Sequence, residues 1–233
     1  MDNRQLLDEI LLSDNVCQNF HREYKDNVEF HRWLITLLPE IKTCFMPQNN
    51  PWHIYSVIDH ILHSVEEMNK QSVCYDDKTR RRLAYTMFLH DIGKPECHIK
   101  RQKNGAWIDS FFNHNIASER IAKRVLKDLN FDKNECKIIE KLVYKHDIFM
   151  FLTLDKTTNP HHKQLSNDVI KNEIADLNNV GNGAELLKQL IMIGRSDSKS
   201  QNPAMTKNSL ILLDTMENML QNLKLENSSI LEK

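Results

Sequence analysis

The segment Ile54-Tyr55-Ser56-Val57-Ile58-Asp59-His60-Ile61-Leu62-His63-Ser64-Val65-Glu66-Glu67-Met68 decides how the chain is read. Its apolar residues Ile54, Val57, Ile58, Ile61, Leu62, Val65 and Met68 recur at steps of three and four, the stripe of a half-buried helix. Asn50-Pro51 upstream offers a cap followed by a first-turn proline, so the helix is predicted over 51–70, with His53 and His60 on one of its faces. A second helix is expected to start at Asp76 or Asp77, run through Leu83, Met87 and Phe88, and stop at Gly93 with Pro95 just beyond. Further helices are expected over 115–129, 133–148, 167–178, 183–197 and 204–225. Residues 1–49 read as an N-terminal helical extension packed on a core formed by 50–233.

Two stretches break the helical spacing. In 98–112, Asn104-Gly105 separates two short runs containing Ile99 and Trp107-Ile108, the pattern of a small β-hairpin. Residues 153–166 are polar and too long for a simple turn, as expected of a loop over a site. The fold class is therefore an all-α bundle with one small hairpin near 98–112.

Composition agrees. Glycine is 5 of 233 residues, about 2% against a usual 7%, which disfavours the tight turns of a β-sandwich or a Rossmann fold. Thirty-one basic against 32 acidic residues leave a net charge of −1, so there is no bulk attraction for nucleic acid or an anionic membrane. No run approaches the roughly 20 apolar residues of a membrane span, and the first residues lack a signal-peptide pattern. The five cysteines (Cys17, Cys44, Cys74, Cys97, Cys136) are odd in number and contain no CxxC pair. They read as reduced, buried small hydrophobes of a cytoplasmic protein, with no thiolate zinc site expected. Trp52 and Trp107 read as core or pocket wall, and Arg80-Arg81-Arg82 as a solvated helix face or, alternatively, an RNA contact.

Histidine, at 11 residues, is the unusual count. His90-Asp91 falls at the carboxyl end of a predicted helix, where free carbonyls and the helix dipole favour a cation. An imidazole nitrogen and a carboxylate that can bridge two ions suit a divalent metal there. Gly93 lets the chain turn away, and Lys94 follows with a charge that can hold a phosphate. His60, His114, His146 and Asp197 sit on other predicted helices, and a bundle can bring such positions together.

These words resemble a known family. His60, then His90-Asp91, then Asp197 follow the H…HD…D order of HD-domain metal-dependent phosphohydrolases. Trp52-His53-Ile54-Tyr55-Ser56-Val57 leading to His60-Ile61-Leu62, and Leu89-His90-Asp91-Ile92-Gly93-Lys94-Pro95, are similar to its ligand segments. So are Phe112-Asn113-His114 with Ser118, and Arg195-Ser196-Asp197 with Gln201-Asn202-Pro203. The resemblance spans roughly 45–205 and runs nearest to the HD domain of bacterial tRNA nucleotidyltransferases, here standing alone. Asn113 and Asn115 depart from the Gly and Glu often found there.

The resemblance implies a helical HD fold and hydrolysis of a phosphate ester by a metal-activated water. It implies His60, His90, Asp91 and Asp197 as ligands of one ion, and His114 and His146 with a bridging Asp91 as ligands of a second. Asp91, Lys94 and His114 would be catalytic; Lys94, Arg195 and His53 would bind substrate, with Arg195 making a bidentate phosphate contact. His53 and His161 are candidates for protonating the leaving oxygen. The cofactor would be one or two divalent ions of Mn, Fe, Co, Ni or Zn, with Mg as an alternative. The expected partner is a small phosphorylated substrate, a nucleotide or related compound, with RNA as a weaker candidate. The alternative reading is a non-catalytic nucleotide- or tRNA-binding module.

Overall fold

In the computed structural model, which describes residues 2–156 and 158–231 (224–231 by backbone alone), the chain is all-α with one small hairpin. Three helices come first: α1 (Asn3–Leu11), α2 (Val16–Asp26) and α3 (Val28–Leu37). Then follow α4 (Val57–Gln71) and α5 (Asp77–Leu89), the strands β1 (Ile99–Lys103) and β2 (Ala106–Ser110), and α6 (His114–Asp128) and α7 (Lys133–Lys145). Two-residue strands β3 (Leu152–Thr153) and β4 (Lys163–Gln164) pair in parallel before α8 (Asn167–Leu177), α9 (Gly183–Lys199) and α10 (Pro203–Leu231).

Side-chain caps set the helix starts. Asp76 accepts from the backbone N–H of Thr79, Asp132 from those of Asn134 and Glu135, Ser166 from Val169 and Asn182 from Glu185. The predicted start of α4 at Asn50-Pro51 is wrong by a turn and more. Asn50 Oδ1 instead accepts from the backbone N–H of Trp52 and of His53, closing a local turn. Ser56 is the real cap, its Oγ accepting from Asp59 N–H, so the helix begins at Val57 and His53 lies before it. The hairpin forms as expected. Asn104 (φ 51°) and Gly105 (φ 81°) supply the two left-handed residues of its turn, with Ile99 opposite Ser110 and Lys103 opposite Ala106. The 153–166 stretch holds the short pair of β3 and β4, and Thr157 lies outside the described residues.

One continuous core joins these elements. Leu62, Val65, Leu83, Phe88, Leu187 and Leu190 are buried where α4, α5 and α9 pack together. Leu7, Leu11, Phe20, Phe30 and Leu34 from the first three helices belong to the same cluster, α1 lying on α5 and α2 on α4. The arginine run is not a solvated face. Arg81 Nε donates to Asp8 Oδ1 at 2.9 Å, and Arg82 forks onto both oxygens of Glu135 at 2.7 and 2.8 Å, tying α1 and α7 to α5. Trp52 and Trp107 are exposed rather than core, and of the five cysteines only Cys44 is buried. Among the described residues, no helix is long and apolar enough to cross a membrane.

Candidate metal centre

Five helices deliver histidines and aspartates to one buried spot. His90 closes α5, and Asp91 follows it, 1% exposed. His60 comes from the second turn of α4, His114 opens α6, His146 ends α7 and Asp197 lies near the end of α9. Asn113 precedes His114 in the left-handed region (φ 62°), a conformation asparagine tolerates well, and so re-aims the chain into α6.

The four imidazoles share one arrangement. Each Nδ1 faces a backbone carbonyl: His60 that of Ser200 (3.1 Å), His90 that of Met87 (2.6 Å), His114 that of Phe111 (2.8 Å) and His146 that of Val143 (2.7 Å). A carbonyl oxygen only accepts, so each Nδ1 donates its hydrogen, and in the neutral ring Nε2 is left as a bare lone pair. All four Nε2 atoms point at Asp91, and those of His60 and His90 also face Asp197. Asp91 Oδ2 lies 3.1 Å from His60 Nε2 and 3.3 Å from His90 Nε2, while its Oδ1 lies 3.1 Å from His114 Nε2 and 3.6 Å from His146 Nε2. Asp197 Oδ1 is 2.9 Å from His60 Nε2 and 3.7 Å from His90 Nε2, and both its oxygens accept from Gln201 Nε2 at 3.0 Å.

These approaches are close without being satisfied. His60 Nε2, His90 Nε2 and Asp91 Oδ1 are buried and have no hydrogen-bond partner, because the atoms within 3.3 Å of each are themselves lone-pair acceptors. Leaving three such atoms buried is costly, and a cation among them would satisfy all three at once. His114 Nε2 and His146 Nε2 stand 3.1 Å apart, two atoms that need a positive charge between or beside them. His60, His90, Asp91 and Asp197 thus form a group that could hold a metal ion, and Asp91, His114 and His146 form a second group around the other oxygen of the same carboxylate.

The electrostatics have the same sense. Burial opposes a charged His60, yet Asp197 and Asp91 hold its pKa up at about 8. Burial likewise opposes, and the aspartates outweigh, in His90 and His146, both raised. Burial pushes the two carboxyls up, but His90 and Lys94 hold Asp91, and His60 and His90 hold Asp197, well below the usual carboxylate range.

Lys94 is 4% exposed, its Nζ 2.5 Å from Asp91 Oδ2, 3.0 Å from Gln48 Oε1 and 5.6 Å from the centre of the Phe111 ring. His53, though off the helix, folds back so that its ring centre is 5.0 Å from that of His60 and its Nε2 is 3.4 Å from Lys94 Nζ. Burial, with Lys94 and His60 nearby, drives its pKa down to about 2. Gly93 is where this segment meets α6. Its N–H donates to Ser118 Oγ at 2.9 Å, and a Cβ there would lie 2.5 Å from Ser118 N.

Two expected residues lie elsewhere. Arg195 is engaged by Asp214 Oδ1 at 2.7 Å and Glu217 Oε2 at 2.6 Å, holding α9 to α10. His161 is exposed and belongs to neither ligand group. Gln48, which accepts from Lys94, had no signal in the sequence: it lies in a loop five residues before His53, and its partner is 46 positions further along the chain. Gln201, which the sequence marks only as part of the last resembling segment, lies four residues after Asp197 and holds both its oxygens. Comparison with protein-family models and with curated proteins finds no match for the chain.

Proposed function

We propose that the chain is a divalent-metal-dependent phosphohydrolase that cleaves a phosphate ester of a nucleotide or related compound. The observation that carries this reading is the set of four histidines, each anchored through Nδ1 on a carbonyl and aiming Nε2 at Asp91 or Asp197 in a buried space. That is the orientation metal-ligating histidines need. The resemblance to HD-domain phosphohydrolases names the reaction class. Asp91, with one oxygen toward each histidine pair, suits a bridging ligand between two ions.

When bound, the ion or ions of Mn, Fe, Co, Ni or Zn, or alternatively Mg, supply Lewis-acid activation of water and of a phosphoryl oxygen. The chain's own groups do the rest. Lys94 sets its buried Nζ beside Asp91, where it offsets charge on the phosphoryl oxygens. His53 stays neutral. With Nε2 accepting from Lys94, its Nδ1 carries the hydrogen, and that buried atom has no partner, so it serves as a donor to a phosphoryl oxygen. His114, on the wall of the second ligand group, combines ligation with contact to the reacting phosphate. Arg195 is assigned instead to holding α9 on α10.

Phosphomonoester, cyclic phosphodiester and dinucleoside polyphosphate substrates all fit this chemistry. The second reading, a non-catalytic nucleotide- or tRNA-binding module, draws on the hairpin. Exposed Lys100, Arg101 and Lys103 line β1, with Lys103 Nζ 4.8 Å from the Trp52 ring centre and Arg101 5.2 Å from that of Phe112.

Purified protein loaded with Mn²⁺, Co²⁺, Ni²⁺ or Fe²⁺ is to be assayed on all three substrate classes, with metal content measured in parallel. The expected result is turnover that falls at least about 100-fold in Asp91→Asn, together with lost metal. Bound metal with no turnover of any class overturns the proposal, and a salt-dependent RNA shift without hydrolysis then selects the binding module.

A further inference from the structure

A second set of donors lies where α2 crosses α4. Cys17 and His21 stand four residues apart on one face of α2, and Asp59 comes from the first turn of α4. A sulfur, an imidazole nitrogen and a carboxylate oxygen lie within 4.8 Å of one another, and all three residues are half-buried. We propose that Cys17, His21 and Asp59 form a separate site for a thiophilic divalent cation, Zn²⁺ or Co²⁺, with a solvent molecule completing the coordination.

The distances suit such an ion. Donors about 2.0–2.3 Å from a tetrahedral zinc sit roughly 3.3–3.8 Å apart, which small side-chain rotations reach from the present spacing. The donor chemistry is selective, because a thiolate beside an imidazole favours Zn²⁺ or Co²⁺ over Mg²⁺ or Ca²⁺. The carboxylate is already oriented. Ser56 Oγ donates to Asp59 Oδ2 at 2.6 Å, which leaves Oδ1 facing His21 Nε2 at 2.7 Å. Cys17 is held through its backbone N–H, which donates to Glu66 Oε1 at 2.9 Å.

The surrounding charge favours a cation and argues against a free nucleophile. Burial, with Asp59 and Glu66 nearby, pushes the Cys17 thiol up to about 11, so a bare thiolate is disfavoured there. A divalent ion reverses that balance by taking the place of the thiol proton and drawing on the same carboxylate field. The absence of a CxxC pair gave no hint of this site. It depends on Asp59 arriving from another helix, next to His60 in the chain. Occupancy would clamp α2 to the helix that carries a ligand of the central cluster. The inference is independent of the phosphohydrolase reading.

Reduced, metal-stripped protein titrated with Co²⁺ tests it, because thiolate–Co²⁺ charge transfer absorbs in the near ultraviolet. The central ligand groups contain no sulfur, so that band reports this site alone. The expected result is a band in the wild type, in Asp91→Asn, in Cys74→Ser and in Cys136→Ser, and its loss in Cys17→Ser, with bound Zn²⁺ falling by one equivalent. Asp59→Asn, which retains a group able to bond Ser56, is expected to weaken Co²⁺ binding at least about tenfold with the band still reachable at high Co²⁺. A wild type without the band, a band undiminished by Cys17→Ser, or Co²⁺ affinity unchanged in Asp59→Asn overturns the proposal; the first outcome would leave His21 and Asp59 as a simple hydrogen-bonded pair.

Discussion

Adding one methyl group at Gly93 probes how tightly the centre is built. A Cβ on Gly93 would sit 2.5 Å from Ser118 N, 2.7 Å from Ala117 Cβ and 2.8 Å from His114 O. Carbon contacts relax at about 3.5 Å, so Gly93 and the first turn of α6 must part by about 1 Å. Two of the three obstructing atoms are backbone, and no side chain can rotate away. Gly93 has no positive φ, so the cost is one of packing rather than of backbone conformation. Overpacking of this kind costs about 1–3 kcal/mol, here near the upper end. Stretching the 2.9 Å hydrogen bond from Gly93 N–H to Ser118 Oγ adds about 1 kcal/mol. A loss of about 4 kcal/mol lowers the melting temperature by roughly 8–16 °C for a chain of this size. The same displacement carries His114 away from Asp91, from which its Nε2 now stands 3.1 Å. Gly93→Ala is therefore expected to bind metal at the His114–His146 side about 10–100-fold more weakly while retaining metal at His60, His90 and Asp197. Differential scanning calorimetry and metal analysis after dialysis measure both effects, with Ser118→Ala as the control that removes the hydrogen bond without the overlap. A Gly93→Ala protein that melts within about 1 °C of the wild type and binds the same metal would refute the reasoning.

Two further outcomes follow from ion pairs. Arg195→Ala is expected to leave KM for any phosphoester unchanged and to cost about 1 kcal/mol in urea unfolding, because its guanidinium is occupied by Asp214 and Glu217; a KM raised tenfold would return it to the substrate site. Glu135 has a folded pKa held below the ordinary 4.5: burial raises it, but Arg82 and Lys78 outweigh that. Its contribution is fully present above the unfolded pKa and is lost as pH falls through the depressed folded value. The stability gap between wild type and Glu135→Gln, measured by urea unfolding, should therefore be constant near neutrality and shrink below pH 4.5; a gap that widens with acid would contradict the pairing.

The parts of this protein that a short window of sequence determines are the ones written in local hydrogen bonds and periodicity. The caps at Asp76, Asp132 and Asn182, the Asn104-Gly105 turn and the helical stripes each depend on residues within a few positions of one another. The His90-Asp91 helix end was legible for the same reason. Arg195 was within reach of that logic too: two residues before Asp197 on α9, it points to the opposite side of the helix, and the pattern of segments obscured a simple 100° rule. Where the local signal misled, packing decided. Asn50-Pro51 reads as a helix start, but backbone bonds from Val57 N–H to Met46 O and from Ile58 N–H to Cys44 O, with the Ser56 cap, place it at Val57. Only the tertiary structure brought Gln48 to Lys94, gave Asp91 a histidine pair on each oxygen, and set Asp59 beside Cys17 and His21. Those meetings join residues dozens of positions apart, and they depend on how whole helices bury their apolar faces against one another, a quantity no local stretch of residues encodes.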